Sequence, residues 1–307
     1  MKPVETKKLV FIFGPTCAGK TEIACDVAEG GGEIVSVDSM QVYIGLEKGT
    51  AKPTEEQLRR VPHHLVSVVP PGHRFSAGDF RRLALGAIEG IWGRGKVPFL
   101  VGGTGLYFRA LEYELADAPC ADLGLRESLY AEEERAKGSL YERLRRNDPR
   151  TAGSLHPNDL VRIVRALEIY ELTGRTFSSS VSGSFKRRFS PLKIGVTMER
   201  DALYARIETR CGAMIQAGLA AEVGALIERG CDERFPSMKG LGYSHFIQFF
   251  KGCRSYDETV RHFVRDSKRY AKRQLTWFRK EPGALWFQNA DLVGIRSAVD
   301  GYVVRIC

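Results

Sequence analysis

Leu9-Val10-Phe11-Ile12-Phe13-Gly14-Pro15-Thr16-Cys17-Ala18-Gly19-Lys20-Thr21 is the stretch on which the fold turns. Its first five residues form an unbroken apolar run, which suits a strand covered on both faces of a parallel sheet. The next eight fit GxxxxGK[ST], a glycine-rich loop that opens a helix, here expected over residues 21–29. Gly14 and Gly19 permit the turn. The backbone N–H groups of the loop and of the helix start point at phosphate oxygens. Lys20 adds a mobile positive charge, and Thr21 a hydroxyl suited to Mg²⁺. The motif points to linked phosphates. It leaves open whether the ligand is ATP and which bond breaks.

Working outward, strand and helix continue to alternate. Glu33–Val37 reads as a second strand with Asp38 at its C-terminal end, and Gly30-Gly31-Gly32 as the stop of the helix before it. Ser76 and Asp79 form a capping-box pattern after Phe75, opening a helix that runs to about Trp92. Residues 97–101 are a third strand closed by Gly102-Gly103-Thr104-Gly105, and residues 191–198 return as another. The pattern is α/β, with a P-loop nucleoside-triphosphate-hydrolase-like core built on a parallel sheet. Ligands in such sheets sit at the C-terminal ends of the strands, so the loop, Asp38 and Thr104 converge on one crevice. Asp38 itself reads three ways from its neighbours alone: a Mg²⁺ contact through water, a general base, or a cap on the next turn. Arg206 and Arg210, four apart, share one helical face and read either as a phosphate clamp or as a surface pair.

Composition changes near Cys120. Residues 123–137, 140–147 and 158–173 read as charged helices, with Arg162 and Arg165 off the apolar face of the third. The serine-rich run 176–184 reads as a mobile loop. The expected organisation is a core of residues 1–115 and 185–307, with residues 116–184 as a helical insertion domain. Two helices follow, at 201–216 and 219–228. The last long helix, residues 257–280, carries eight basic residues against three acidic ones. Several recur every three or four positions and form a basic stripe beside an apolar face. The helix reads either as a solvated surface or, from its one-sided charge next to Trp277, as a contact for a polyanionic partner.

The chain of 307 residues is 43% hydrophobic and 27% charged, as in soluble globular proteins. No apolar run approaches the length of a membrane span, and Leu9–Phe13 is too short for the core of a signal peptide. No membrane association is expected, and the cytoplasm is the expected compartment. Seven cysteines with no CxxC pair support neither a disulfide framework nor a zinc module. The six outside the loop read as small buried hydrophobes. His63-His64 reads as a structural pair. The net charge of +9 agrees with a polyanionic partner.

Taken together, Gly14–Thr21, Asp38–Tyr43, Gly49–Pro53, Pro62–Leu65, Val101–Tyr107, Arg206, Arg210, Glu222, Gly240–Tyr243 and Lys272–Phe278 resemble the tRNA dimethylallyltransferase family, bacterial type. The resemblance implies that the loop binds the diphosphate of dimethylallyl diphosphate and that the acceptor is N6 of adenosine 37 in tRNAs reading codons that begin with U. It implies Asp38 as general base, with Thr104 and Arg206 at the reacting centre. Gly14, Thr16, Ala18, Gly19, Lys20, Thr21 and Arg210 would hold the diphosphate. Mg²⁺, the implied cofactor, would rest on Thr21 and Asp38. Ser39, Gln41, Thr50, Lys52, Arg162, Arg165, Lys272, Arg273, Gln274 and Thr276 would meet the tRNA anticodon stem-loop, with the enzyme acting as a monomer. Lys48 departs from the apolar residue usual in the family. On the residues alone two other readings stay open: an ATP-dependent phosphotransferase acting on a nucleoside or nucleotide, and a nucleotide-switched RNA-binding protein.

Overall fold

The apolar run after Lys8 becomes β1 (Val10–Phe13), every residue of which is buried. The computed structural model describes residues 7–113, 119–181 and 187–304. After β1 come α1 (Lys20–Ala28), β2 (Gly32–Val37), α2 (Glu55–Arg60), β3 (His63–His64), α3 (Ala77–Gly93), β4 (Val97–Gly102) and α4 (Gly105–Glu112). Five helices follow: α5 (Leu123–Arg135), α6 (Ser139–Asn147), α7 (Pro149–Ser154), α8 (Leu160–Thr173) and α9 (Phe177–Val181). The chain then forms β5 (Leu192–Thr197), α10 (Arg200–Gln216), α11 (Leu219–Glu228), α12 (Tyr243–Phe250), α13 (Tyr256–Phe278), β6 (Leu285–Gln288) and α14 (Leu292–Val304).

The strands make one parallel sheet in the order β3-β2-β4-β1-β5-β6. In register, Val10 of β1 faces Phe99 on one side and Leu192 on the other. Alternate residues of a strand point to opposite faces. Accordingly Phe11 and Phe13 pack with Phe80, Ile88, Phe108 and Phe278 on one face. Val10 and Ile12 pack with Ile23, Ala24, Ile295 and Val299 on the other. Phe13 stacks on Phe278 at 4.6 Å between ring centroids, which anchors the end of α13 beneath the sheet. A separate cluster including Ile207, Leu219, Tyr243, Phe246 and Phe263 holds α10 to α13 together. Because all strands run the same way, the segments after β1, β2 and β4 leave from one edge. Those segments carry the glycine-rich loop, Asp38 and Thr104.

Two compact units are present. One comprises the described residues of Met1–Glu112 and Phe189–Cys307, and the other those of Tyr113–Arg188. The second is helical, built on Leu129, Leu140, Leu144, Ile163 and Leu167. Its fully buried Glu168 is paired with Arg126 at 2.7 Å and accepts the Asp122 N–H at 2.8 Å.

Several expectations need correction. Gly32 does not end α1; it lies in β2, where a Cβ would stand 2.4 Å from the Phe99 ring. The helix stops at Glu29, and Gly30 makes the turn at φ 80°. The serine-rich run is not simply a loop, since Phe177–Val181 form α9; residues 182–186 lie outside the described residues. Cys120 and Cys253 are exposed rather than buried, and Cys307 lies outside the described residues. The basic helix α13 is followed by β6 and α14, neither of which the sequence reading contained.

Candidate active site

The loop after β1 takes its shape from glycine. Gly14 has φ 154°, and a Cβ there would meet the Val196 carbonyl oxygen at 2.2 Å. Gly19, at φ 84°, caps the start of α1, so the first N–H groups of that helix face outward from the sheet edge. A helix N-terminus of this kind favours an anion through its unpaired N–H groups and its dipole. Thr16, Cys17, Gly19, Lys20 and Thr21 form one wall of a cleft of about 770 Å³. Gly14 and Ala18 are buried and support the wall from behind.

Lys20 bends back so that Nζ donates to the Pro15 carbonyl at 2.7 Å. Burial, reinforced by the Arg210 charge, lowers its ammonium to about 8. Arg210 reaches over from α10, its Nη1 donating to Thr16 Oγ1 at 3.3 Å. Arg206 lies one turn earlier on the same cleft wall and carries no ion pair among the described residues. The two arginines therefore converge with Lys20 on the space before the loop.

Asp38 faces that space from the end of β2. Its Oδ1 accepts the N–H groups of Met40 at 2.8 Å and Gln41 at 3.2 Å. The carboxylate is thus a cap on the next turn, and the cap orients it. Oδ2 has no hydrogen bond among the described residues. Thr104 is not itself a wall residue; its Oγ1 accepts the Ser39 N–H at 3.3 Å beside the cleft. Tyr270 of α13 was not anticipated. Its phenol faces Thr104 and Gln274, and burial together with the Asp38 charge holds it above its ordinary range.

The residues expected to meet RNA divide into two groups. Ser39 lines the cleft, and Arg273, Lys272 and Thr276 are exposed on α13, with Arg273 also on the cleft wall. Arg162, in the helical unit, is exposed and pairs with Asp159 at 3.3 Å. The other side chains bond to groups of the protein itself, although Gln41, Thr50 and Gln274 also line the cleft. Gln41 Nε2 donates to the Ala51 carbonyl at 2.9 Å while its Oε1 accepts the Ser36 hydroxyl at 2.8 Å. Thr50 donates to the Leu46 carbonyl at 2.6 Å, and Lys52 to that of Tyr43 at 2.7 Å. Arg165 donates to the Pro119 carbonyl at 2.8 Å. Gln274 is buried and hydrogen-bonded at both ends of its amide. In each case the loop or turn needed an internal partner for its backbone groups, and the polar side chain supplies it.

One anchor had no role assigned to it from the sequence, although Glu222, Tyr243 and Gly49 all belong to the stretches that resemble the family. Glu222 of α11 accepts the N–H groups of Glu47 and Lys48, each at 3.1 Å or closer, and the Tyr243 hydroxyl at 2.6 Å. Tyr243 OH in turn accepts the Gly49 N–H at 3.1 Å. This clamp holds the 47–50 turn through its backbone. Lys48 is exposed, so its departure from the family pattern leaves the clamp intact.

The family model described as IPP transferase matches residues 41–281, and one described as isopentenyl transferase matches residues 7–65. The chain belongs to this family. Among the IPP transferases, it is 48% identical over 286 residues to the tRNA dimethylallyltransferase 2 of Geotalea uraniireducens, with 92% of each chain covered. It also resembles the crystal structure of the full-length tRNA isopentenylpyrophosphate transferase from Bacillus halodurans, at a TM-score of 0.73, 38% identity and 97% of both chains. A eukaryotic dimethylallyltransferase acting on tRNA matches at a TM-score of 0.80 and 25% identity, over 97% of this chain and 78% of that one. These likenesses place the chain with the bacterial type of the family.

Proposed function

We propose that the chain transfers the dimethylallyl group of dimethylallyl diphosphate to N6 of adenosine 37 in tRNAs reading codons that begin with U, releasing diphosphate. The observation that carries the reading is the pairing of two unlike walls in one cleft. Lys20, Arg206, Arg210 and the start of α1 stand on one side, and the free Oδ2 of Asp38 on the other.

Adenine N6 is a weak nucleophile because its lone pair is delocalised into the ring. Its attack on the allylic carbon therefore depends on relief of the charge left on the diphosphate. Backbone N–H groups, Lys20 and the two arginines are placed to stabilise that charge. Asp38 Oδ2 accepts the N6 proton as the new C–N bond forms and the C–O bond breaks. The two N–H bonds to Oδ1 keep the carboxylate aimed during the step. Thr104 assists at the same centre, next to Ser39. The loop is read here as that of a P-loop nucleoside-triphosphate-hydrolase-like core that grips a leaving diphosphate.

No cluster of three His, Cys, Asp or Glu side chains forms a metal site among the described residues. Mg²⁺ does not require one, since it is commonly held by one or two carboxylates, waters and substrate phosphates. The Thr21 hydroxyl, with substrate phosphates and waters, fits that role; Asp38, whose Oδ2 takes the proton, would reach the ion only through a bound water, and the ion would supply further neutralisation of the leaving group. RNA meets the exposed Lys272, Arg273 and Thr276, and the reading places the enzyme in the cytoplasm as a monomer. No single helix among the described residues is long and apolar enough to cross a membrane.

Mass analysis of tRNA after incubation with dimethylallyl diphosphate and Mg²⁺ tests the reaction: one C5H8 unit is gained on adenosine. Asp38→Asn tests the base. The amide oxygen can still accept the Met40 and Gln41 N–H groups, so the turn survives. Turnover should fall by about 10²–10⁴ while tRNA affinity is kept. Wild-type turnover in that variant would remove Asp38 from the mechanism.

A further inference from the structure

Gln274 lies on α13 one turn from the basic outer face, yet its amide points inward. Oε1 accepts the Thr16 N–H at 2.8 Å, and Nε2 donates to the Gly103 carbonyl at 2.9 Å. Thr16 belongs to the loop on the diphosphate side. Gly103 precedes Thr104 in the turn on the acceptor side. A single carboxamide therefore ties the two walls of the cleft together. The fit is close: a Cβ on Gly103 would stand 2.1 Å from Gln274 Nε2. The next turn of α13 repeats the arrangement, since a Cβ on Gly105 would stand 2.1 Å from Trp277 Nε1. Both glycines flanking Thr104 thus admit a side chain from the helix that carries Lys272 and Arg273.

We propose that Gln274 is a positioning residue for the transfer step: it sets the spacing between the diphosphate loop and the Thr104 turn and makes no contact with RNA. The proposal rests on the reading of the cleft as a prenyl-transfer site. Its physical basis is that both bonded groups belong to backbone at the reacting centre. Without the amide, the Thr16 N–H and Gly103 carbonyl lose their partners and each wall relaxes independently. Donor and acceptor are then held apart by a fraction of an ångström, and displacements near 1 Å lower rates on the order of 10²-fold.

Two variants test this with both substrates and the full chain. In Gln274→Ala, kcat should fall roughly 10- to 100-fold. Affinity for tRNA and its salt dependence should match wild type, because no cation is lost. Gln274→Glu separates positioning from bulk stability. As a carboxylate it lacks the donor for the Gly103 carbonyl; once protonated, its O–H and C=O reproduce the amide's donor and acceptor. The ratio of variant to wild-type kcat should therefore rise as pH is lowered through the introduced group's titration. Taking the ratio cancels the response of Asp38, Tyr270 and Arg273, which surround the site in both proteins.

A weakened tRNA affinity with unchanged kcat would overturn the proposal and return Gln274 to the RNA surface. So would a pH-independent ratio for Gln274→Glu, or a lowered melting temperature with wild-type kcat. If wild type itself fails to add C5H8, the function reading falls. If wild type reacts and Gln274→Ala equals it, only the positioning role falls.

Discussion

Lys20 is the residue through which pH enters donor binding. Its ammonium titrates at about 8 instead of 10.5, lowered first by burial and then by Arg210, with Asp38 and Cys17 acting in the opposite direction. A bound diphosphate places negative charge against that ammonium and raises its pKa again. The complex therefore holds Lys20 protonated at pH values where the empty enzyme does not. Between pH 7 and pH 9 the charged fraction in the empty enzyme drops from about nine-tenths to about one-tenth. Affinity for dimethylallyl diphosphate should fall about tenfold over that interval, or about 1.4 kcal/mol. Calorimetry without tRNA, in buffers of different ionisation enthalpy, reads both quantities at once. At pH 9 binding should take up close to one proton. Lys20→Arg, charged throughout, should bind with nearly the same affinity at both pH values. A wild-type affinity that is flat with pH, with no proton uptake, would refute the argument. The same shift acts on the unliganded fold. The folded-state pKa lies below the unfolded one, so below pH 8 both states are protonated and the fold bears the full cost of the buried charge. From pH 8 to 10.5 the unfolded state binds more protons, and this contribution to stability rises with pH.

Two further substitutions probe the frame around the site. Gly14→Ala meets the Val196 carbonyl oxygen at 2.2 Å with φ at 154°, so a loss of about 3 kcal/mol is expected in urea denaturation, together with loss of donor binding. Lys193, buried in β5, pairs with Glu112 at 2.7 Å and Glu281 at 3.4 Å, both also buried. Lys193→Met removes the buried cation that both carboxylates share, while Arg109 stays on Glu281 at 3.1 Å, and should cost about 3 kcal/mol at pH 7. A change below about 0.5 kcal/mol would show that the charges are compensated elsewhere.

The parts of the fold that were legible in the chain are those specified by local patterns. Val10–Phe13 and Ile34–Val37 are apolar without interruption because parallel strands are covered on both faces. The Ser76–Asp79 and Ser255–Glu258 capping boxes show the same link between local chemistry and helix start; the first was read in advance and the second was not. β3 and β6 left no such trace. One has two residues and the other is only partly covered, so each exists as a strand because a neighbour in the sheet offers it a partner. For the site, the glycine-rich loop, Asp38, Arg206 and Arg210 were all recognisable and line one cleft. Tyr270 was not, and Glu222 was recognisable without a role, because a tyrosine or glutamate on a helix carries no mark of what it will face.

What the sequence determined by itself was the set of local conformations and the kind of chemistry: a phosphate-binding turn, a carboxylate one strand away, and a basic helix. Only the tertiary structure decided which polar side chains face outward. Ser39, Arg273 and Lys272 do; Gln41, Thr50, Lys52 and Gln274 hold backbone groups inside. The reason is that a buried N–H or carbonyl must find a partner wherever the chain happens to pass. That partner is drawn from residues distant in sequence, as Gln274 is from Thr16, so no local pattern announces it.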